Sequence, residues 1–218
     1  MLDAHSCNCG KAEGGMIGLL QWLVFGLVKL LAGAQANWAG CAPVRRQRIY
    51  FANHGSHLDT VVITASLPPE LRIETHPVAA LDYWGGSAFR KFIAVRCLNA
   101  VLINRSGGAD GDPLQPLIAP LERGESLIIF PEGTRGTGEI GAFKSGLYHL
   151  ALRFPAAELV PVYLANLHRV LPKGTMLLVP LLCTARFGAP LTVLEGEAKA
   201  DFLERARQAL IGTRATAG

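Results

Sequence analysis

Three short stretches carry the residues that could do chemistry: Asn53-His54-Gly55-Ser56-His57-Leu58-Asp59, then Ile103-Asn104-Arg105, then Phe130-Pro131-Glu132-Gly133-Thr134-Arg135. A neutral imidazole titrates near pH 6.5, so His54, in a turn, can take a proton from a hydroxyl at neutral pH. Asp59, five residues on, is expected about one helical turn into the following helix. From there it can hold one ring nitrogen of His54 and leave the other for a substrate. Arg105 and Arg135 offer planar forks suited to phosphate. Gly133 would let the backbone turn tightly, so that N–H groups face a ligand.

Each feature has a plainer reading. Ser56-His57-Leu58-Asp59 matches the S-x-x-[DE] capping box, which would give Asp59 a structural task at a helix start. His54-x-x-His57-x-Asp59 has the donor types of a metal site but lacks further ligands in a recognisable arrangement. Arg135 could close a polar turn with a surface salt bridge. His5-Ser6-Cys7-Asn8-Cys9 offers at most three local ligands and has no matching C-x-x-C.

The positioning elements follow from apolar runs and their punctuation. Runs at residues 49–52, 78–81, 100–103, 126–130, 159–164 and 176–181 read as strands, and helical patterns fall at 56–66, 84–95, 114–123, 145–154 and 200–211. The first helix is stopped by Pro68-Pro69, and Ser56 opens it. Alternation of this kind implies an α/β fold with a mostly parallel central sheet flanked by helices and active residues at strand ends. At 218 residues the chain suits one catalytic domain, residues 37–218.

Ahead of it, residues 1–15 form a flexible tail and residues 16–36 an apolar, membrane-associating helix. The stretch 16–34 carries Lys29 as its only charge and as a helix would be about 28 Å long, close to the bilayer core of about 30 Å. It could span, lie in the interface or cap the core, and Ala34-Gln35-Ala36 also has the form of a signal-peptidase site. Arg45, Arg46 and Arg48 outnumber Lys11 across the segment, which puts the domain on the cytoplasmic face if the helix spans and offers the three arginines to anionic head groups. The net charge of +4, without a Lys/Arg-rich run, argues against nucleic acid. The five scattered cysteines do not make a disulfide framework.

The ordered set NHGSHLD, INR, FPEGTR and Val160-Pro161-Val162 resembles the four blocks of the glycerolipid acyltransferase family, which includes the 1-acylglycerol-3-phosphate acyltransferases. Ala142-Phe143-Lys144-Ser145-Gly146 and Phe187-Gly188-Ala189-Pro190 support the likeness, which covers roughly residues 48–195. The resemblance implies His54 as general base, Asp59 as its orienter and Arg105 as ligand of the acceptor phosphate. It also implies that Asn104, Glu132, Gly133, Thr134, Arg135 and Lys144 bind substrate and that Val160-Pro161-Val162 helps to form the acyl pocket. The reaction it implies moves a fatty acyl group from acyl-CoA or acyl carrier protein to the hydroxyl of lysophosphatidate at a membrane, with no metal or bound cofactor.

The family's second block often reads Gly-x-Ile-Phe-Ile-Asp-Arg, whereas Asn99 and Asn104 stand at its Gly and Asp positions here. That leaves another lysolipid, such as a lyso-ornithine lipid, as an alternative acceptor. A thioesterase or lipase would want a G-x-S-x-G elbow, which the chain lacks. A non-catalytic lipid-binding protein would use His54 and Asp59 only for capping.

Overall fold

The computed structural model describes residues 33–56, 58–104, 112–136, 139–165 and 183–215, together with Gly18, Leu23, Phe25, Gly26 and Lys29. Seven strands, β1 (Gln35–Trp38), β2 (Arg48–Ala52), β3 (Thr75–Ala80), β4 (Val101–Ile103), β5 (Ser126–Ile129), β6 (Glu158–Ala165) and β7 (Thr184–Phe187), form one sheet. Their order is β1-β7-β6-β2-β5-β3-β4, and every pairing is parallel except β6 with β7. The α/β expectation with a mostly parallel sheet holds.

Burial on both faces explains the unbroken apolar runs of the central strands. All five residues of β2 and all four of β5 are buried. Strand alternation sends Tyr50, Ala52, Ile128, Val160 and Val162 into one apolar cluster, and Ile49, Phe51, Leu127, Ile129 and Leu159 into the other. Helix α1 (Asp59–Ser66) covers the first face through Val62, Ile63 and Ala65. Helices α5 (Gln115–Glu122), α6 (Gly146–Arg153) and α7 (Lys199–Ala215) cover the second through Leu117, Leu147 and Phe202.

Several boundaries differ from expectation, for local reasons. The first helix begins at Asp59 rather than Ser56. Pro68 and Pro69 end it, but Pro69 then opens α2 (Pro69–Ile73), because a first-turn proline lacks only an N–H that would be unsatisfied anyway. The single helix expected over 84–95 is two pieces, α3 (Leu81–Trp84) and α4 (Ala88–Phe92), with a π turn at Ile93–Cys97. Gly85-Gly86 separates them, and Ser87 Oγ accepts the Arg90 N–H at 3.2 Å to cap the second. The strand expected at 176–181 lies outside the described residues.

Strand β1 was not anticipated, and it shortens the N-terminal helix. Gln35 and Ala36, assigned to that helix, pair with Thr184 and Ala185 of β7, and Trp38 stacks on Phe187 with ring centroids 3.9 Å apart. Cleavage after Ala36 would therefore cut a strand of the sheet. Gly40 follows β1 because a Cβ there would collide with the Ala189 backbone. Most of residues 16–32, like the tail 1–15, lies outside the described residues. Within that segment Phe25 is buried in the first apolar cluster under the Arg72 guanidinium, 4.5 Å from its ring centroid, while Leu23 and Lys29 are exposed. Among the described residues no helix is long and apolar enough to cross a membrane.

The three arginines offered to head groups have another task. Arg48 is only 2% exposed; its Nε donates to Glu158 Oε2 at 2.9 Å and its Nη1 to Ala42 O at 2.9 Å. Arg46 also binds Glu158, at 2.6 Å, and Arg45 binds Glu74. These residues sit at the N-terminal end of β2, and His54 follows its C-terminal end, about 17 Å away along a five-residue strand. Burial works to raise the Glu158 carboxyl, but the hydrogen bonds and charges of Arg46 and Arg48 outweigh it and hold its pKa below the usual value. Glu158→Ala leaves the buried Arg48 without a carboxylate partner among the described residues. It should destabilise the fold by about 2–4 kcal/mol at neutral pH, between an exposed and a buried pair, measured as a shift in denaturation midpoint. Because a lowered folded pKa stabilises above the unfolded value of about 4.3, the gap between wild type and variant should shrink as pH falls below about 4.

Candidate active site

The adjacency of β2 to β6 and β5 brings the first and third motifs together. Beyond the last residue of β2, Asn53 continues the pairing with its side chain: Nδ2 donates to Leu164 O at 3.2 Å and Oδ1 accepts the Leu164 N–H at 2.8 Å. His54 is then clamped through its own backbone. Its N–H donates to Glu132 Oε1 at 3.0 Å, and its carbonyl accepts the Gly136 N–H at 2.8 Å.

The His54 ring lies against Phe130, with centroids 4.4 Å apart and planes 25° from parallel. Nδ1 meets Asp59 Oδ2 at 2.8 Å, while Nε2 has no partner among the described residues. Asp59 is the first residue of α1, where the helix dipole favours a carboxylate, and it is 1% exposed. Its Oδ2 also accepts the N–H groups of Gly55 (2.7 Å) and Ser56 (2.9 Å). One oxygen atom thus makes the dyad contact and the carboxylate half of the capping box. Ser56 Oγ accepts the Leu58 N–H at 3.2 Å and is not the helix cap. His57 lies outside the described residues.

Glu132 is turned inward. Besides His54, it holds the Gly141 N–H through Oε2 at 2.9 Å. Its carboxylate thus ties the 130–136 turn to His54 and to Gly141. Gly133 has φ of +71°, a region that favours glycine, and a Cβ there would meet the movable end of the Lys144 side chain. Thr134 and Arg135 are exposed, and Arg135 has no carboxylate partner among the described residues. Lys144 is exposed beside Gly133.

Two cavities meet at His54 and Phe130. One, of about 350 Å³, is lined by polar groups of Asp82, Thr134 and Arg135 together with Tyr83 and Trp84. The other, of about 370 Å³, is mainly apolar, with Ile103, Leu114, Leu117, Ile129, Leu147 and Leu150 in its wall and Lys144 and His149 also lining it. An imidazole between a polar and an apolar chamber is placed to meet a substrate with a charged head and an acyl chain. Val160 and Val162 line neither; both are fully buried in the first cluster against the sheet. The fourth motif is therefore core, because it lies in β6 with both faces covered.

Asn104 is exposed just after β4, at the same sheet end as His54, and Arg105 lies outside the described residues. Asn99, where the related block carries glycine, has φ of +56°; asparagine is among the few side chains that accept this region. The motifs alone give no task to Asn53, Phe130, Asp82, Tyr83 or Trp84. The signal for them was position, at the C-terminal ends of β2, β5 and β3. Burial pushes the Cys183 thiol up to about 11, the Asp59 charge adding to it, so it is no nucleophile at neutral pH. Glu132→Ala strips acceptors from two N–H groups and should destabilise by about 1–3 kcal/mol. If its role is positioning, turnover should fall by about tenfold or more with the acceptor KM nearly unchanged, as steady-state kinetics would show.

The chain is similar to known proteins. The Acyltransferase family profile matches residues 39–165. A 1-acyl-sn-glycerol-3-phosphate acyltransferase from Limnanthes alba is 29% identical over 185 residues, covering 84% of this chain and 61% of that protein. One from Cocos nucifera is 38% identical over 184 residues, covering 84% and 56%. The chain thus spans less than two thirds of the length of these relatives. The crystal structure of the 1-acyl-sn-glycerophosphate acyltransferase PlsC from Thermotoga maritima superposes with a TM-score of 0.68 at 19% identity, covering 93% of this chain and 88% of that one, which supports the shared fold. With the profile covering more than half of its length, including the His54–Asp59 dyad and the Glu132 turn, this chain belongs to the acyltransferase family.

Proposed function

We propose that this protein transfers a fatty acyl group from a thioester, acyl-CoA or acyl carrier protein, to the free hydroxyl of lysophosphatidate, giving phosphatidate. The observation that carries the reading is His54, bonded to Asp59 through Nδ1 and bordering both the polar and the apolar cavity. The acceptor head group sits on the polar side near Thr134 and Arg135, and an acyl chain lies in the apolar one. The names of the relatives support lysophosphatidate as acceptor.

In the reaction, His54 Nε2 takes the hydroxyl proton as the oxygen attacks the thioester carbonyl carbon. Asp59 steadies the imidazolium that forms. The carbonyl oxygen becomes an oxyanion, for which the N–H groups of Thr134 and Arg135 are available, having no acceptor among the described residues. Collapse breaks the C–S bond, and the proton on His54 passes to the departing thiolate. No metal or bound cofactor enters these steps.

The same chemistry on another lysolipid is the second reading, favoured by Asn104 at the position where related sequences often carry aspartate. In either case the domain works at the cytoplasmic face of the membrane. A panel of lysolipids offered with acyl-CoA or acylated carrier protein, read by mass spectrometry of the products, tests acceptor and donor together; absence of any acyl ester would sink the proposal. His54→Ala should lower the rate by at least about 10²-fold with the fold intact, and Asp59→Asn by a smaller factor. Arg105→Ala should raise the KM of phosphate-bearing acceptors much more than that of the donor. Equal losses on phosphate-free acceptors would remove Arg105 from the head-group site.

A further inference from the structure

The connection between β3 and β4 stands out from the rest of the surface. Every residue from Gly85 to Phe92 is exposed, Phe89 at 72% and Phe92 at 43%, and Leu81 (41%) and Val95 (40%) extend the apolar exposure on either side. The helix is rooted in the domain by Ala94, Cys97 and Leu98, all buried. Exposed phenylalanines clustered on a projecting helix mark a binding surface rather than ordinary surface scatter.

The charges beside them are cationic. Arg90, Lys91 and Arg96 are exposed, and Asp82 is the one acid between residues 81 and 98. Arg90 lies over the Tyr83 ring at 5.1 Å, and neither Arg90 nor Lys91 has a carboxylate partner among the described residues. Aromatic side chains with interleaved cations are the composition of a helix lying in the interface of an anionic bilayer.

Location narrows the partner to lipid. Asp82, Tyr83 and Trp84, just before the projecting helix, line the polar cavity that reaches His54, so the patch borders the mouth of the site. Arg45 and Arg46 occupy the other end of the sheet in ion pairs. On the flank, Ala94 and Leu98 share their apolar cluster with Phe25, from the apolar N-terminal stretch.

Resting on the lysolipid acyltransferase reading, we propose that the α3–α4 excursion is a membrane-docking surface. Phe89 and Phe92 enter the interface of an anionic bilayer while Arg90 and Lys91 meet its lipid phosphates, holding the polar cavity's mouth at head-group level. A lysolipid then presents its hydroxyl to His54 while its chain leaves the bilayer only in part.

The full chain is tested by flotation with phosphatidylcholine vesicles with and without 30% phosphatidylglycerol, using F89S/F92S and R90Q/K91Q. Wild type should prefer the anionic vesicles, and F89S/F92S should bind both kinds at least about tenfold more weakly. R90Q/K91Q should lose about tenfold or more on the anionic vesicles alone. Both should acylate a short-chain, water-soluble lysolipid from acyl-CoA at the wild-type rate, which reports an intact fold and tests the reaction separately. If that assay fails for wild type while the vesicle losses stand, the reaction reading falls and the docking surface survives. As a gain of signal, F89W should show fluorescence quenched by brominated lipid beyond the wild-type level. Unchanged vesicle binding in both double variants would overturn the proposal. So would a loss confined to acyl carrier protein as donor, which would make the patch a carrier-protein site, or conversion by F89S/F92S of a wild-type dimer to a monomer.

Discussion

A single carboxylate oxygen organises the catalytic end of this domain. Asp59 Oδ2 receives the His54 ring and the Gly55 and Ser56 N–H groups, so the turn leaving β2, the start of α1 and the imidazole are fixed by one atom. At 1% exposure the carboxylate has lost nearly all its water, and among the described residues its second oxygen has no partner. The three donors and the α1 dipole must therefore stabilise the charge largely by themselves. Such an oxygen has little freedom to move, which is what holding one imidazole nitrogen in register requires.

The sheet order supplies the remaining parts without long-range machinery. Because β2, β5, β3 and β4 are parallel neighbours, their C-terminal ends deliver His54, the 130–136 turn, α3 and Asn104 to one edge. Glu132 then locks two of these deliveries together through the His54 N–H. Buried charge at the opposite edge does a different task. Glu158 neutralises Arg48, whose buried guanidinium would otherwise keep only uncharged partners such as the Ala42 carbonyl.

Legibility in the sequence followed the range of the interactions. The central strands could be read because burial on both faces requires continuous apolar runs, as in Ile49-Tyr50-Phe51-Ala52. Strand β1, mostly exposed at the sheet edge, carries no such run, and β7 buries only alternate residues over four positions. His54 and Asp59 could be read because their contact spans five residues. The inward turn of Glu132 and the capture of Arg48 could not, since their partners lie 78 and 110 residues away in the chain.

The surroundings of His54 also bear on whether an acyl group would first rest on the enzyme. Ser56, the nearest hydroxyl in the chain, is 4% exposed, with its oxygen committed to the Leu58 N–H and its backbone held by Asp59. Cys183 is fully buried and its thiol is pushed up to about 11, far from the thiolate that an attack requires. Cys97 is also buried, and burial raises its pKa. With the cavities on either side of His54 open to substrate, the oxygen best placed to lose a proton to Nε2 is the acceptor's own. On the proposed reaction, the acyl group then passes from donor to acceptor without resting on Ser56 or on either buried thiol.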